Sequence, residues 1–218
     1  MRRRLYLMRH AEVSYLGERD PEVVRLTERG LEQASAARRA LEDVAFDLVV
    51  TSTLPRTVET AEVVAPEAEP EQWSELAEWR GGRLTDIPPA ELERAFVGAL
   101  QIRDEQERFL GGESLGEALD RVLPAFDRLV ARDWDTALAV LHGGVNRILI
   151  SRALTGERRY FGTFEQAPAC INVLDLGDSE WIVRTVNYIP YDPLHPARTT
   201  TMEQYWDDLR GWLDERAG

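Results

Sequence analysis

The sequence predicts a three-layer α/β/α sandwich with a largely parallel central sheet. Three observations predict it. Short apolar runs alternate with helical stripes from Arg4 to Leu154. The runs end in charged, hydroxyl or glycine residues, as strands do where they open onto a cleft at the carboxyl edge of a sheet. No repeat, low-complexity segment or linker divides the 218 residues. One domain is therefore expected over 1–218, with a tail loop and helix from about residue 188 and the middle helices lying over the sheet edge.

Taken in order, Arg4 to Met8 reads as a buried strand ending at Arg9-His10. Ala11 to Arg25, with Gly17 and Pro21, reads as loop. Thr27 is a good helix N-cap, and Leu31, Ala34, Ala37, Arg38 and Leu41 give the stripe that follows it. Phe46 to Val50 is a second strand, Thr51-Ser52-Thr53 turns the chain, and Pro55 suits a first helical turn. Pro66 to Pro70 is an acidic loop, Gln72 to Leu76 a short strand, and Trp79 to Pro89 irregular. Pro89 to Leu110 reads as a charged helix broken by Gly111-Gly112. Ser114 and Glu117 form a capping box for a helix to about Arg132. Thr136 to Leu141 is a third strand, ending at His142-Gly143-Gly144 before a helix from Val145 to Leu154. Ile171 to Leu176 and Trp181 to Asn187 read as a hairpin around Gly177-Asp178. A proline-rich loop to Thr200 precedes an amphipathic helix from Met202 to Glu215.

Composition excludes several functions. Net charge is −13, and every one of the 26 basic residues is arginine. An acidic chain without a basic stripe predicts neither a nucleic-acid nor an anionic-membrane partner. An anionic substrate would have to be drawn by a local pocket. The one cysteine, Cys170, allows no internal disulfide and reads as a buried small hydrophobe. No Cys/His cluster has zinc spacing, so no metal is expected. No apolar run is long enough to cross a bilayer, and the basic start lacks a signal-peptide core, so a cytoplasmic protein is expected.

The chemistry gathers at strand ends. His10 and His142 each close a buried strand and so face the same rim. Arg9 precedes the first histidine, Arg56 opens a helix after another strand, and Gly143-Gly144 frees backbone N–H groups at a helix start. Guanidinium groups and helix N–H donors converging on one place describe an oxyanion or phosphate site. Two imidazoles there suit phosphoryl transfer: one attacks phosphorus, and the other donates to its oxygens as charge builds.

Six segments in order carry a family resemblance. They are Leu7-Met8-Arg9-His10-Ala11-Glu12, Leu26 to Ala34, Ser52 to Ala61, Leu76-Ala77-Glu78, Gly111-Gly112-Glu113-Ser114 and Val140 to Val145. Together they resemble the histidine phosphatase superfamily, which includes cofactor-dependent phosphoglycerate mutases and fructose-2,6-bisphosphatase. The chain after about Asn187 lies outside the resemblance. It implies a phosphoglycerate mutase-like fold and a metal-independent phosphatase with no cofactor, acting on a small phosphorylated substrate. It implies His10 as the nucleophile that becomes phosphohistidine. Arg9, Arg56 and His142 would hold the phosphoryl group, with Gly143 beside them. Glu78 would protonate the leaving oxygen. Glu113 reads as structural, beside the capping box.

Two departures bear on activity. Ala11 stands where the signature has glycine, and Leu16 where mutase-like members place an asparagine that Ser14 could replace. Ala11, the smallest change, is expected to be tolerated with some effect on phosphate geometry. The missing asparagine, and the absence of the long basic insertions of the glycolytic mutases, favour a phosphatase over a mutase. The rivals are a mutase-type phosphotransferase and a phospho-ligand-binding protein whose catalysis has decayed. Arg80 and Arg83 could meet a second anionic group or lie in a solvated loop. Trp73 and Trp79 could line the pocket or pack in the core, and His195 reads as a surface histidine. Trp206, Leu209 and Trp212 on the final helix could pair two copies as a homodimer or dock on their own domain.

Overall fold

Leu5 and Leu7 alternate with Tyr6 and Met8 along the first strand, β1 (Arg3–Arg9), and this period of two divides the core between two sheet faces. The computed structural model describes residues 2–16, 20–102, 104–177 and 180–217. Gly17 and Asp178, assigned to a loop and a turn, lie outside them. The elements that follow β1 are α1 (Glu28–Ala40), β2 (Leu48–Thr51), α2 (Pro55–Val64), β3 (Glu71–Gln72), α3 (Pro89–Val97), α4 (Leu115–Val130), β4 (Thr136–Leu141), α5 (Gly143–Thr155), β5 (Ile171–Leu176), β6 (Trp181–Tyr188) and α6 (Thr201–Ala217). The sheet order is β3-β2-β4-β1-β5-β6. The first four strands are parallel, while β5 and β6 run antiparallel at one edge. The expected sandwich is therefore present with a mixed sheet.

Leu5, Leu7, Val50, Ala137, Ala139 and Leu141 pack with α4 and α5 through Leu119, Phe126, Ile148 and Leu149. Met8, Val49, Leu138 and Val140 pack with α1 and α2 through Ala34, Ala37, Ala61 and Val64. Thr27 accepts from Gly30 N at 3.0 Å, and Ser114 and Glu117 bond reciprocally, so both expected N-caps form. Among the described residues, no helix is long and apolar enough to cross a membrane.

Several boundaries differ from the sequence reading. Strand β2 starts at Leu48 rather than Phe46; Asp47 just ahead of it donates its amide to Thr136 O, and its carboxylate accepts from the N–H groups of Asp135 and Thr136. The strand expected at Gln72–Leu76 ends after Gln72. Its partner β2 stops at Thr51, whose carbonyl takes Trp73 N, and residues 74–76 curl into a 3-10 turn. The helix expected to reach Leu110 ends at Val97. The Gly98 amide closes the last turn on Arg94 and Phe96, and the chain then folds back so that Ile102 is buried and Phe109 stacks on Trp79. Helix α5 starts two residues early, at Gly143. Trp206 of α6 meets Phe96 of α3 with ring centroids 6.0 Å apart, so the final stripe docks at least in part on its own chain.

Candidate active site

The parallel register pairs Arg9 of β1 with Leu141 of β4, so the next residue on each strand is a histidine. The His10 and His142 rings lie 5.2 Å apart, edge to face. Strand β2 pairs Thr51 with Val140 and brings Ser52 beside His142, with Oγ 2.8 Å from Nε2. Ser52 in turn bonds Thr57 on the first turn of α2 at 2.9 Å. That turn also delivers Arg56, which sits over the Tyr15 ring and donates to Pro21 O at 2.9 Å. Four residues expected from sequence are thus gathered and buried: Arg9 is 6% exposed, His10 1%, Arg56 3% and His142 0%.

Hydrogen bonding fixes the roles open to each group. His10 Nδ1 lies 2.7 Å from Ala11 O. A carbonyl only accepts, so Nδ1 carries the proton and Nε2 keeps a lone pair. Burial, then the Arg56 and Arg9 charges, push His10 well below the usual imidazole value. Burial and then Arg56, His10 and Arg9 do the same to His142. Both rings are therefore neutral at neutral pH. Burial opposes the charge on Arg9, but Glu165 and Glu78 nearby favour it, and the guanidinium stays a cation.

Arg9 Nε, Arg56 Nε and His142 Nδ1 are buried and have no hydrogen-bond partner. Buried polar atoms are nearly always paired, so three orphans around two histidines mark a site built for a ligand rich in acceptors. An oxyanion meets that description; a cation does not. Gly143 lies beside the Arg9 guanidinium: a Cβ there would sit 3.6 Å from Arg9 Nε, in ordinary contact, and 3.2 Å from Arg147 Nη1.

Glu78 reaches the start of α5 from the other side. Its Oε1 accepts from Trp79 N at 2.8 Å and Gly144 N at 3.2 Å. A Cβ on Gly144 would lie 2.7 Å from that oxygen, so only glycine admits the carboxylate here. The segment carrying Glu78 is held by Arg121 of α4. Its guanidinium donates to the carbonyls of Glu75 at 2.8 Å and Ala77 at 2.9 Å and pairs twice with Glu113 at 2.9 and 2.7 Å. Glu113 is structural, as the sequence indicated. Trp79 is buried against Phe109 and Tyr160, while Arg80 and Arg83 are exposed. Cys170 is fully buried, and burial pushes its thiol up to about 12.

The departures are absorbed locally. Ala11 has no positive φ, and its methyl packs with Met8, Ala34 and Ala37 in the core. Ser14 is exposed and accepts from Leu16 N at 3.4 Å, so it supplies no ligand to the site. Tyr15 between them turns toward Arg56 instead. Sequence reasoning also missed Gln166, Thr201 and Tyr205, all of which bond Arg9. Nothing in the tail's composition marks the last two.

The neutral histidines carry a consequence for stability. Below pH 6.5 the unfolded chain takes up protons that folded His10 and His142 refuse. Stability is thus full above that value and falls as pH drops through it. Asp175, held low chiefly by Arg4, acts in a separate window below about 4. The urea midpoint is expected to decline between pH 7 and pH 5, with a shallower decline in His142→Asn. An equal slope in the two proteins would contradict this account.

Comparison with known proteins agrees with the geometry. A model of the histidine phosphatase superfamily (branch 1) matches residues 5–189. The "Probable 2-carboxy-D-arabinitol-1-phosphatase" of Arabidopsis thaliana is 26% identical over 209 residues, which are 88% of this chain but 43% of that protein. This chain thus spans less than half of that relative. A 2,3-bisphosphoglycerate-dependent phosphoglycerate mutase of Methylobacterium radiotolerans is 32% identical over 174 residues, covering 69% of this chain and 78% of the mutase. The crystal structure of the α-ribazole phosphatase from Shigella flexneri superposes with a TM-score of 0.68 at 27% identity, over 84% of this chain and 96% of that one.

Proposed function

Because the chain belongs to the histidine phosphatase superfamily, we propose that it hydrolyses small phosphomonoesters through a phosphohistidine at His10. The observation that carries the reading is the ring of buried, unpartnered donors around a histidine whose Nε2 is free. Nε2 attacks phosphorus with its lone pair while the ester P–O bond breaks. The Nε–H groups of Arg9 and Arg56 bind the phosphoryl oxygens, where charge accumulates in the transition state. With Ser52 donating to His142 Nε2, the Nδ1–H of that ring is a third donor. Glu78 gives a proton to the leaving oxygen and later takes one from the water that attacks the phosphohistidine. Phosphate leaves and His10 is restored.

Phosphatases and a mutase both stand among the similar proteins. Hydrolysis is favoured over return of the phosphoryl group, since neither Ser14 nor Leu16 supplies the further phosphate ligand of mutase-like members. Product analysis with a phosphoglycerate separates the two.

The role of Glu78 is tested by leaving-group dependence. An alkoxide needs a proton to depart, and p-nitrophenolate does not. Glu78→Gln is expected to slow hydrolysis of an alkyl phosphate by about 10²–10³-fold and of p-nitrophenyl phosphate by about tenfold or less. The comparison is made on the first turnover, before water attacks the phosphohistidine; equal losses there in release of the two leaving groups would remove Glu78 from this role.

A further inference from the structure

Helix α6 lies outside the residues that match the family, yet it touches the site's first arginine. Arg9 has five N–H groups to place. Nη1 donates to Gln166 O, at 2.5 Å, and to Thr201 Oγ1, at 3.3 Å. Nη2 donates to the Tyr205 hydroxyl at 3.2 Å. What remains is Nε–H and the second Nη2–H. These two point the same way and form the fork that grips an oxyanion in bidentate fashion. Nε is the buried atom without a partner. Arg9 is thus locked on its outer edge and free on the edge beside Gly143.

The two α6 groups are themselves held. Thr201 Oγ1 lies 2.9 Å from Glu165 Oε1. The Tyr205 ring meets Tyr15 edge to face at 5.4 Å, and Trp206 docks on Phe96. A flexible arginine loses rotamer freedom when it binds an anion. An arginine fixed beforehand by Thr201 and Tyr205 has already lost it.

We propose that Thr201 and Tyr205 are positioning residues of the phosphate site, which fix the Arg9 fork toward the transferring phosphoryl group. The C-terminal helix is thereby a working part of the active centre. The proposal rests on the phosphatase reading only in taking Arg9 as a phosphate ligand.

The test is calorimetric titration of the full chain with inorganic phosphate, which needs no turnover. Tyr205→Phe removes one hydroxyl and keeps the ring against Tyr15. It is expected to weaken phosphate binding about tenfold. In an Arg9→Ala background the same substitution is expected to change affinity less than twofold, because the group it positions is gone. Thr201→Val should follow the same pattern more weakly. KM for p-nitrophenyl phosphate should rise with the phosphate constant, and the urea midpoint of Tyr205→Phe should stay near that of the parent. Unchanged affinity in Tyr205→Phe, or an equal loss with and without Arg9, overturns the proposal and leaves the phosphatase reading standing. A parent protein that binds no phosphate overturns both.

Discussion

Replacing His10 with asparagine is expected to lower kcat for p-nitrophenyl phosphate by more than about 10³-fold, with a chelator present throughout. Asparagine is compact and polar, so the strand end should keep its shape. The loss is chemical: Nε2 is the one imidazole nitrogen of His10 that carries a lone pair, since Nδ1 donates to Ala11 O. The variant should still bind inorganic phosphate, because Arg9, Arg56 and His142 remain. His142→Asn should retain more activity than His10→Asn, as it removes one donor and leaves the nucleophile. A His10→Asn enzyme with a tenth or more of the parent rate would mean that another group attacks phosphorus.

Replacing Arg121 with leucine is expected to cause the largest loss of stability, about 3–5 kcal/mol by urea denaturation. Arg121 and Glu113 are 13% and 10% exposed. Removing the cation leaves a carboxylate nearly out of water with no counter-charge. It also strips the carbonyls of Glu75 and Ala77 of their donor. Those carbonyls belong to the segment that aims Glu78 at the start of α5, so activity should fall below what unfolding explains. Alkyl phosphates should suffer more than aryl ones, as in Glu78→Gln. Replacing both partners with a leucine pair removes the unpaired carboxylate and should recover part of the stability, while the carbonyls of Glu75 and Ala77 stay without their donor and the alkyl-phosphate rate stays low. Recovery of both by the pair would show that Arg121 acts only by keeping the chain folded.

The local rules that read well from sequence were those set within a few residues. Thr27 and Ser114 cap helices because a hydroxyl reaches an amide three residues on. The two histidines could be placed on one rim because each closes an apolar strand run. Their adjacency needed the β1–β4 register, which puts Arg9 opposite Leu141 across more than a hundred residues of sequence. Boundaries failed where a distant partner decides them. Residues 73–76 would be strand if β2 were longer, and residues 98–110 leave the helix because Ile102 and Phe109 find the core. The mount for Glu78 was also hidden, since it is an arginine side chain bonding carbonyls from another element. Tyr15 and Tyr205 were invisible for the same reason. One sits in a polar loop and the other in a charged helix, and only the fold brings their rings together.

The central claim is that the phosphoryl group passes through His10. The direct measurement is to mix the enzyme with p-nitrophenyl phosphate, quench in alkali, digest, and locate the phosphorylated residue by mass spectrometry. Phosphohistidine survives alkali and is lost in acid. The account predicts a peptide carrying one phosphoryl group at His10, absent from His10→Asn and more abundant in Glu78→Gln, where water attack is slowed. Phosphate found on His142, or on no residue while turnover proceeds, would contradict it.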